Sequence, residues 1–348
     1  MFISPVGFQT QLLSLSPTQF TELPISQWTA LTATQIGYLN SDVISALTST
    51  MLSALSTTQV KGITSTALSQ LSATQIAAFS STQLSALTRT QITALSATDV
   101  AELTPTELAA MSSTMLSSLT STALQGLSTT LIASLSTTQI KGLTSTQCAS
   151  LTETQLAAFA DTQIAALNIT TIRGLASTAI SALTETQIHA LSPQQLSAIS
   201  AAATSMLTTT QLAGLDATQL AGLTPTQMSS LKSTAIAALS STQIQALSSR
   251  QIGSITPTAL SGLSTSQVAL LSATQIQGLT TTQVASLSST AITSITPTQL
   301  DSMSLAQLRA ISSTNISALT STQVQQLSAT RIASLTTNQI AGFTATDV

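Results

Sequence analysis

An eight-residue unit, close to L-[ST]-x-T-Q-[ILV]-x-[AG], recurs along the chain without an insertion or deletion. Three copies follow one another in Leu71–Val100, which reads LSATQIAAFSSTQLSALTRTQITALSATDV. We place the repeat at residues 12–348, after a lead-in of residues 1–11, and expect a single continuous solenoid. The last unit stops at Val348, in the middle of a repeat, which predicts that the array is part of a longer one.

A period of eight is incompatible with one uninterrupted helix that keeps a fixed apolar face. Eight residues at about 100° each advance about 800°, so a leucine stripe would drift by about 80° per unit. The chain must therefore end one helix and begin the next within every unit. We predict an all-α solenoid, or superhelix, of very short helices with one helix per repeat.

The residues that start such helices stand at fixed places in the unit. In the unit that begins at Leu71, Ser72 can cap a helix and Gln75 follows three positions later, which is a capping box. Leu71 and Ile76 occupy the positions of a hydrophobic staple. Proline marks the same start independently, because a missing N–H costs nothing at the first helical residue. Six of the eight prolines follow a cap position directly: Pro17, Pro105, Pro193, Pro225, Pro257 and Pro297.

A β-solenoid is the alternative fold. Leu71 and Ile76 are separated by an odd number of positions, so a strand would place them on opposite faces. Tight turns would also favour Gly, Asn and Asp, whereas the chain has only 12 glycines and little asparagine. The pattern favours the helical fold.

A slower rhythm in the sequence bears on how the units stack. The variant S-T-A-[LI] recurs every seven units, which indicates either duplication of a seven-unit block or a period of the superhelix. An odd number of units disfavours a coil of two. The variant begins at Ser65, Ser121, Ser177, Ser233 and Ser289.

The residue before each leucine is usually Ala, Gly or Ser, which predicts that one coil approaches the backbone of another there. Nine glycines occupy this slot: Gly62, Gly126, Gly142, Gly174, Gly214, Gly222, Gly262, Gly278 and Gly342. Two units depart from the pattern. Glu22–Trp28 is expected to form an adapted first coil, and Ser200–Leu207 has Thr204 in place of the usual isoleucine.

Composition argues against several classes of protein. Charged residues make up 5% of the chain and the net charge is −3, so there is no basic footprint for nucleic acid. Polar residues interrupt every unit, which argues against a membrane span, and the N-terminus lacks the pattern of a signal peptide. The single Cys148 cannot form an intramolecular disulfide.

No residue pattern predicts catalysis, a cofactor or a metal. His189 occupies a variable, solvent-facing slot, and Cys148 takes the place of a core isoleucine. The acidic residues are scattered rather than clustered, and six of them stand at helix starts, where a carboxylate is favourable. They are Glu153, Asp161 and Glu185 after the cap, and Asp99, Glu107 and Asp347 in place of the capping-box glutamine. Asn168 and Asn315 match the glycosylation sequon, but capping explains both positions better.

The octads LSATDV (Leu95–Val100) and LSTTQIKG (Leu135–Gly142) resemble a known kind of array. They are similar to the LTxTQIxAL-type repeats of very large predicted bacterial surface or secreted proteins, which are regarded as adhesin-like. The resemblance covers nearly the whole chain. It implies an extracellular or cell-surface location and a structural or adhesive role.

We therefore expect a non-enzymatic protein that forms a rigid rod, stalk or fibre. Its expected partners are copies of itself, neighbouring repeats of a longer chain, or a cell-surface or glycan ligand. The alternative is a ligand-binding surface on which recurring threonines, such as Thr74, Thr82 and Thr90, form a ladder for ice or polysaccharide.

Overall fold

A computed structural model describes residues 15–343. These residues form only short α-helices and connecting turns, with no strand among them, so the all-α solenoid is confirmed and the β-solenoid is not supported. Their contacts cluster into two compact bodies that divide between Leu175 and Ala176. Both bodies are built in the same way. The lead-in of residues 1–11 lies outside the described residues.

The described chain contains 41 helices of four to six residues, one for each repeat unit. Helices α1 to α41, in chain order, are Pro17–Thr21, Ile25–Trp28, Ala33–Gly37, Ser41–Ala46, Ser49–Ser53, Thr57–Val60, Ser65–Leu68, Ala73–Ile76, Ser81–Ser85, Arg89–Thr93, Ala97–Ala101, Pro105–Ala110, Ser113–Leu116, Ser121–Leu124, Thr129–Ser134, Thr137–Lys141, Ser145–Ala149, Glu153–Ala157, Asp161–Ala166, Ile169–Gly174, Ser177–Ala182, Glu185–His189, Pro193–Ala198, Ala201–Thr204, Thr209–Ala213, Ala217–Ala221, Pro225–Ser230, Ser233–Ala237, Ser241–Ala246, Ser249–Ser254, Pro257–Leu260, Thr265–Ala269, Ala273–Gly278, Thr281–Ala285, Ser289–Ser294, Pro297–Ser302, Leu305–Ala310, Ser313–Ile316, Ser321–Gln325, Ala329–Ala333 and Thr337–Ile340.

Side-chain caps define where most of the helices begin. The Ser72 hydroxyl accepts the backbone N–H of Gln75, and the Gln75 side chain accepts the backbone N–H of Ser72, so the predicted capping box is confirmed. All six prolines named above stand at the first helical position, N1. Four cap positions make no side-chain capping bond: Pro24, Ala160, Ala176 and Lys232.

The six-residue helices end because the leucine, isoleucine or methionine that follows adopts an extended backbone. Leu247 has φ −67° and ψ 133°, and the next residue, the cap Ser248, is also extended at φ −69° and ψ 156°. Two consecutive extended residues redirect the chain before the next helix starts. This change of chain direction once per unit is what a period of eight requires.

The core is the strip formed by two residues of each unit. Leu71 and the fourth helical residue, Ile76, are both buried, and the pattern recurs along most of the described chain, with Ile332 and Ile340 as exposed exceptions near its end. In the adapted first coil, Trp28 is fully buried, packs edge-on to Phe20 and donates its indole N–H to the carbonyl of Met51 at 2.7 Å. Thr204 is buried in the isoleucine position, and its hydroxyl donates to the carbonyl of Ser200 at 3.0 Å.

Helices three places apart pack on each other, so one turn of the superhelix takes between three and four units. The side-chain hydrogen bonds between turns span 23 to 31 residues, and the bond from N3 to the leucine slot spans 28, for example from Gln75 to Leu47. That separation equals three and a half units. Two turns therefore take seven units, which matches the spacing of the S-T-A-[LI] variants and gives their rhythm a structural meaning.

The small slot before each leucine is confirmed as a place of close approach between turns. A Cβ added to Gly126 would lie well inside van der Waals contact of the backbone carbonyl of Ala97, which belongs to the preceding turn. All nine glycines in this slot face the N1 residue of a helix in the preceding turn. Only a residue with little or no side chain lets the turns come this near.

We predict that Gly126→Ala loosens the contact between two turns, because the new methyl group must displace a backbone carbonyl. Overpacking of this kind costs about 1–3 kcal/mol. Hydrogen exchange of amides in Ala97–Ala101 and Ser121–Leu124 should accelerate on the order of tenfold. The matched control is Gly214→Ala. A Cβ added to Gly214 lies nearest to the carboxylate Oε1 of the flexible Glu185 side chain, at 2.7 Å. Equal exchange in the two variants would contradict this account of the slot.

Candidate functional site

The structure places His189 and Cys148 where the repeat predicts them. His189 is exposed at the end of its helix. Cys148 is buried in the core, and desolvation raises the pKa of its thiol to about 12. A thiol with a raised pKa is rarely ionised near neutral pH, so it is a poor nucleophile. Cys148 therefore behaves as a small core residue.

Acidic residues at N1 and the sequon residue Asn168 serve the helix starts. Glu153, Asp161 and Glu185 are exposed at N1, which is in the first turn of each helix. Asn168 caps its helix by accepting the N–H of Thr171 at 2.8 Å. Within residues 15–343, no three of the His, Cys, Asp and Glu side chains are grouped so as to hold a metal ion. Asp347 lies outside the described residues.

The surface between turns has open, shallow depressions. One is lined by Ser65, Thr66, Ser69, Thr90, Thr93 and Ala94. Thr74, Thr82 and Thr90 are all exposed at the second helical position. They belong to consecutive helices, whereas the helices that pack together along the superhelix are three places apart.

The most distinctive polar group in the structure is the glutamine at the third helical position, N3. Gln147 illustrates its contacts. Its Oε1 accepts the backbone N–H of Thr144 at 2.9 Å, which completes the capping box. Its Nε2 donates to the carbonyls of Leu116 and Leu119, each at 2.8 Å, in the preceding turn. One amide side chain therefore caps its own helix and donates hydrogen bonds to the preceding turn. We call this pair of contacts the glutamine bridge.

The bridge satisfies carbonyls that the short helices leave open. The last carbonyls of any α-helix have no partner within that helix. In repeats this short, such groups are a large part of the backbone, and burying them unpaired would be costly. Gln155 donates to the carbonyls of Gln125 and Leu127 at 3.3 and 2.9 Å, and at 3.1 Å to that of Leu124, which also accepts the Leu127 N–H.

Other side chains at N3 make the same inter-turn bond by different chemistry. Thr171 donates its hydroxyl to Leu143, and Asn315 donates its amide to Leu287, at 3.0 and 2.7 Å. The guanidinium of Arg331 donates to Met303 and Leu300. Leu143, Leu287 and Met303 each lie 28 residues, or three and a half units, before their donor, and Leu300 lies 31 residues before Arg331. Several residue types at N3 can therefore supply the donor that reaches the previous turn.

Sequence reasoning identified the capping half of the bridge and missed the inter-turn half. The signal was the choice of glutamine over glutamate. A capping box needs only an acceptor at N3, which either residue supplies. Only the amide also has a donor. Glu107 is the sole glutamate at N3 in the described chain, while glutamine fills most of the other N3 positions.

Among residues 15–343, the helices are all far too short to cross a bilayer. No protein-family model matches the chain, and a search of curated proteins found no relative.

We predict that Gln147→Glu destabilises the solenoid, although it preserves the capping acceptor. The carboxylate cannot donate to Leu116 and Leu119, and it would bury a charge against their carbonyls. An unsatisfied buried group costs about 1–3 kcal/mol, and more when charged, so the urea midpoint followed by circular dichroism should fall.

The matched control for this variant is Gln19→Glu. Gln19 makes the same capping box with Ser16, but it is exposed. Its substitution should leave the urea midpoint nearly unchanged. If both variants unfold at the wild-type midpoint, the donor at N3 has no energetic role.

Proposed function

We propose that this chain is a non-enzymatic structural or adhesive repeat protein that forms a rigid rod, stalk or fibre at the cell surface. The observation that carries the proposal is the glutamine bridge, which recurs in both bodies and ties one turn to its predecessor. A protein whose buried polar side chains bond its own turns together is suited to bearing mechanical load or to acting as a spacer.

The way the helices depend on one another supports a stiff element. Helices of four to six residues are not stable alone, because nucleation is costly. Each therefore exists only while it packs against the helices three places away and bonds to helices four places away, as Gln147 bonds to Leu116. Repeat proteins of this kind gain stability from nearest-neighbour interfaces, so adding units extends the structure without a new core.

The exposed surface supports an adhesive role. Charged residues are 5% of the sequence, and serine and threonine cover the helix starts. Such a surface can offer hydroxyls to a glycan or to a second copy without strong charge repulsion. Together with the resemblance to LTxTQIxAL-type arrays, this favours an adhesin-like protein outside the cell, bound to itself, to neighbouring repeats or to a surface glycan.

A second candidate is a ligand-binding surface for ice or polysaccharide. The exposed threonines at the second helical position and the hydroxyl-lined depressions between turns favour it. A ladder along the superhelix would use threonines from helices three or four places apart rather than consecutive ones.

Electron micrographs combined with small-angle scattering test the main proposal. We expect elongated particles of uniform width, with a length that grows in proportion to the number of units when seven-unit blocks are added. Compact globules would contradict it. Glycan-array binding would support the adhesive form of the proposal. Thermal hysteresis would instead favour an ice-binding surface.

A further inference from the structure

One stretch of the first body lacks the glutamine bridge for more than a full turn. The N3 residues between Gln91 and Gln139 are Asp99, Glu107, Met115, Ala123 and Leu131. Gln91 and Gln139 are six units apart, which exceeds the turn of three and a half units and is the longest such gap in the described chain. We call the contact between these five N3 positions and the preceding turn the glutamine-free seam.

The five side chains at the seam cannot replace the missing donor. Met115, Ala123 and Leu131 carry no N–H or O–H group. Asp99 and Glu107 accept the backbone N–H groups of Ser96 and Thr104, at 2.8 and 2.7 Å, but an ionised carboxylate donates nothing. These two residues retain the capping half of the bridge and lose the inter-turn half.

The turns on either side of the seam differ in how they are held. Gln139, in the turn that follows the seam helices, donates to the carbonyls of Leu108 and Met111 at 2.7 and 2.9 Å, so the seam helices are bonded to the following turn. Across the seam itself, Thr93 donates its hydroxyl to the carbonyl of Ser118 at 3.3 Å. Apart from this bond and the close approach of Gly126 to the backbone of Ala97, apolar packing joins the two turns.

We propose that the glutamine-free seam is a built-in yield point, where the first body opens before its other turns separate. Because an isolated helix of this length is unstable, opening at the seam melts the helices that line it. The array would then respond to load or thermal fluctuation at a set place, and the bridged turns would remain intact. This inference goes beyond the proposed function, because it applies whatever the array holds.

Hydrogen exchange of the full chain, followed by mass spectrometry, tests the seam directly. Amides in the seam helices Pro105–Ala110, Ser113–Leu116 and Ser121–Leu124 should exchange at least tenfold faster than amides in the reference helices of the same body. The reference helices are Thr137–Lys141, Ser145–Ala149, Glu153–Ala157 and Asp161–Ala166, where every N3 residue is a bridging glutamine. Equal exchange in the two sets would overturn the proposal.

Two double variants make the test specific to the donor. Asp99→Asn with Glu107→Gln changes only oxygen to NH₂, and Asn315 shows that an asparagine at N3 can reach the previous turn. This variant should slow exchange at the seam several-fold. Gln147→Ala with Gln155→Ala copies Ala123, whose helix still has its Thr120 cap, and should raise exchange in the reference helices toward the level of the seam.

One variant should slow amide exchange and the other should accelerate it, so a general loss of folding cannot produce both results. If adding donors leaves exchange at the seam unchanged, apolar packing alone sets the stability of the turns and the seam is not a yield point. Unchanged exchange in the reference helices after removal of the two glutamines would lead to the same conclusion.

Discussion

The architecture depends on one side chain that bonds in two directions. At N3, the glutamine oxygen accepts an N–H from its own helix start, and the glutamine nitrogen donates to the carbonyls that end a helix in the previous turn. A very short helix has more open backbone groups at its ends than satisfied ones in its middle. The bridge supplies an acceptor to an N–H at the start of its own helix and a donor to carbonyls in the preceding turn. Backbone groups of so short a repeat can therefore be buried.

This arrangement explains a composition that is unusual for a folded protein. Every buried glutamine in the described chain stands at N3. Burying an amide is unfavourable unless its hydrogen bonds are replaced, and here both ends of the amide are bonded. The apolar core needs only one leucine and one isoleucine-type residue per unit, such as Leu71 and Ile76. The remaining positions can be small or hydroxylated without loss of order.

Much of the fold could be predicted from the sequence, because helix capping is local chemistry. Ser72, Gln75 and the prolines at N1 indicate helix starts without knowledge of any distant contact. The number of units per turn could not be predicted, since it depends on which distant carbonyl the Gln75 amide reaches. The seven-unit rhythm contained this information, but it could be interpreted only after the turn was known. The weak contacts at Asp99 and Glu107 were hidden for the same reason, because both residues satisfy a capping box.

The most direct test of a turn of three and a half units is disulfide mapping of the contact between turns. In this register, the N1 residue of one helix lies beside the small slot of the next turn, as Ser249 lies beside Gly278. Cysteines at Thr281 and Ala310, which have the same spacing, should therefore crosslink rapidly under mild oxidation. The pairs Thr281 with Ser302 and Thr281 with Ala318, which are one unit closer and one unit farther in sequence, should not. Preferential crosslinking at either of those spacings would contradict the turn and the glutamine bridge that defines it.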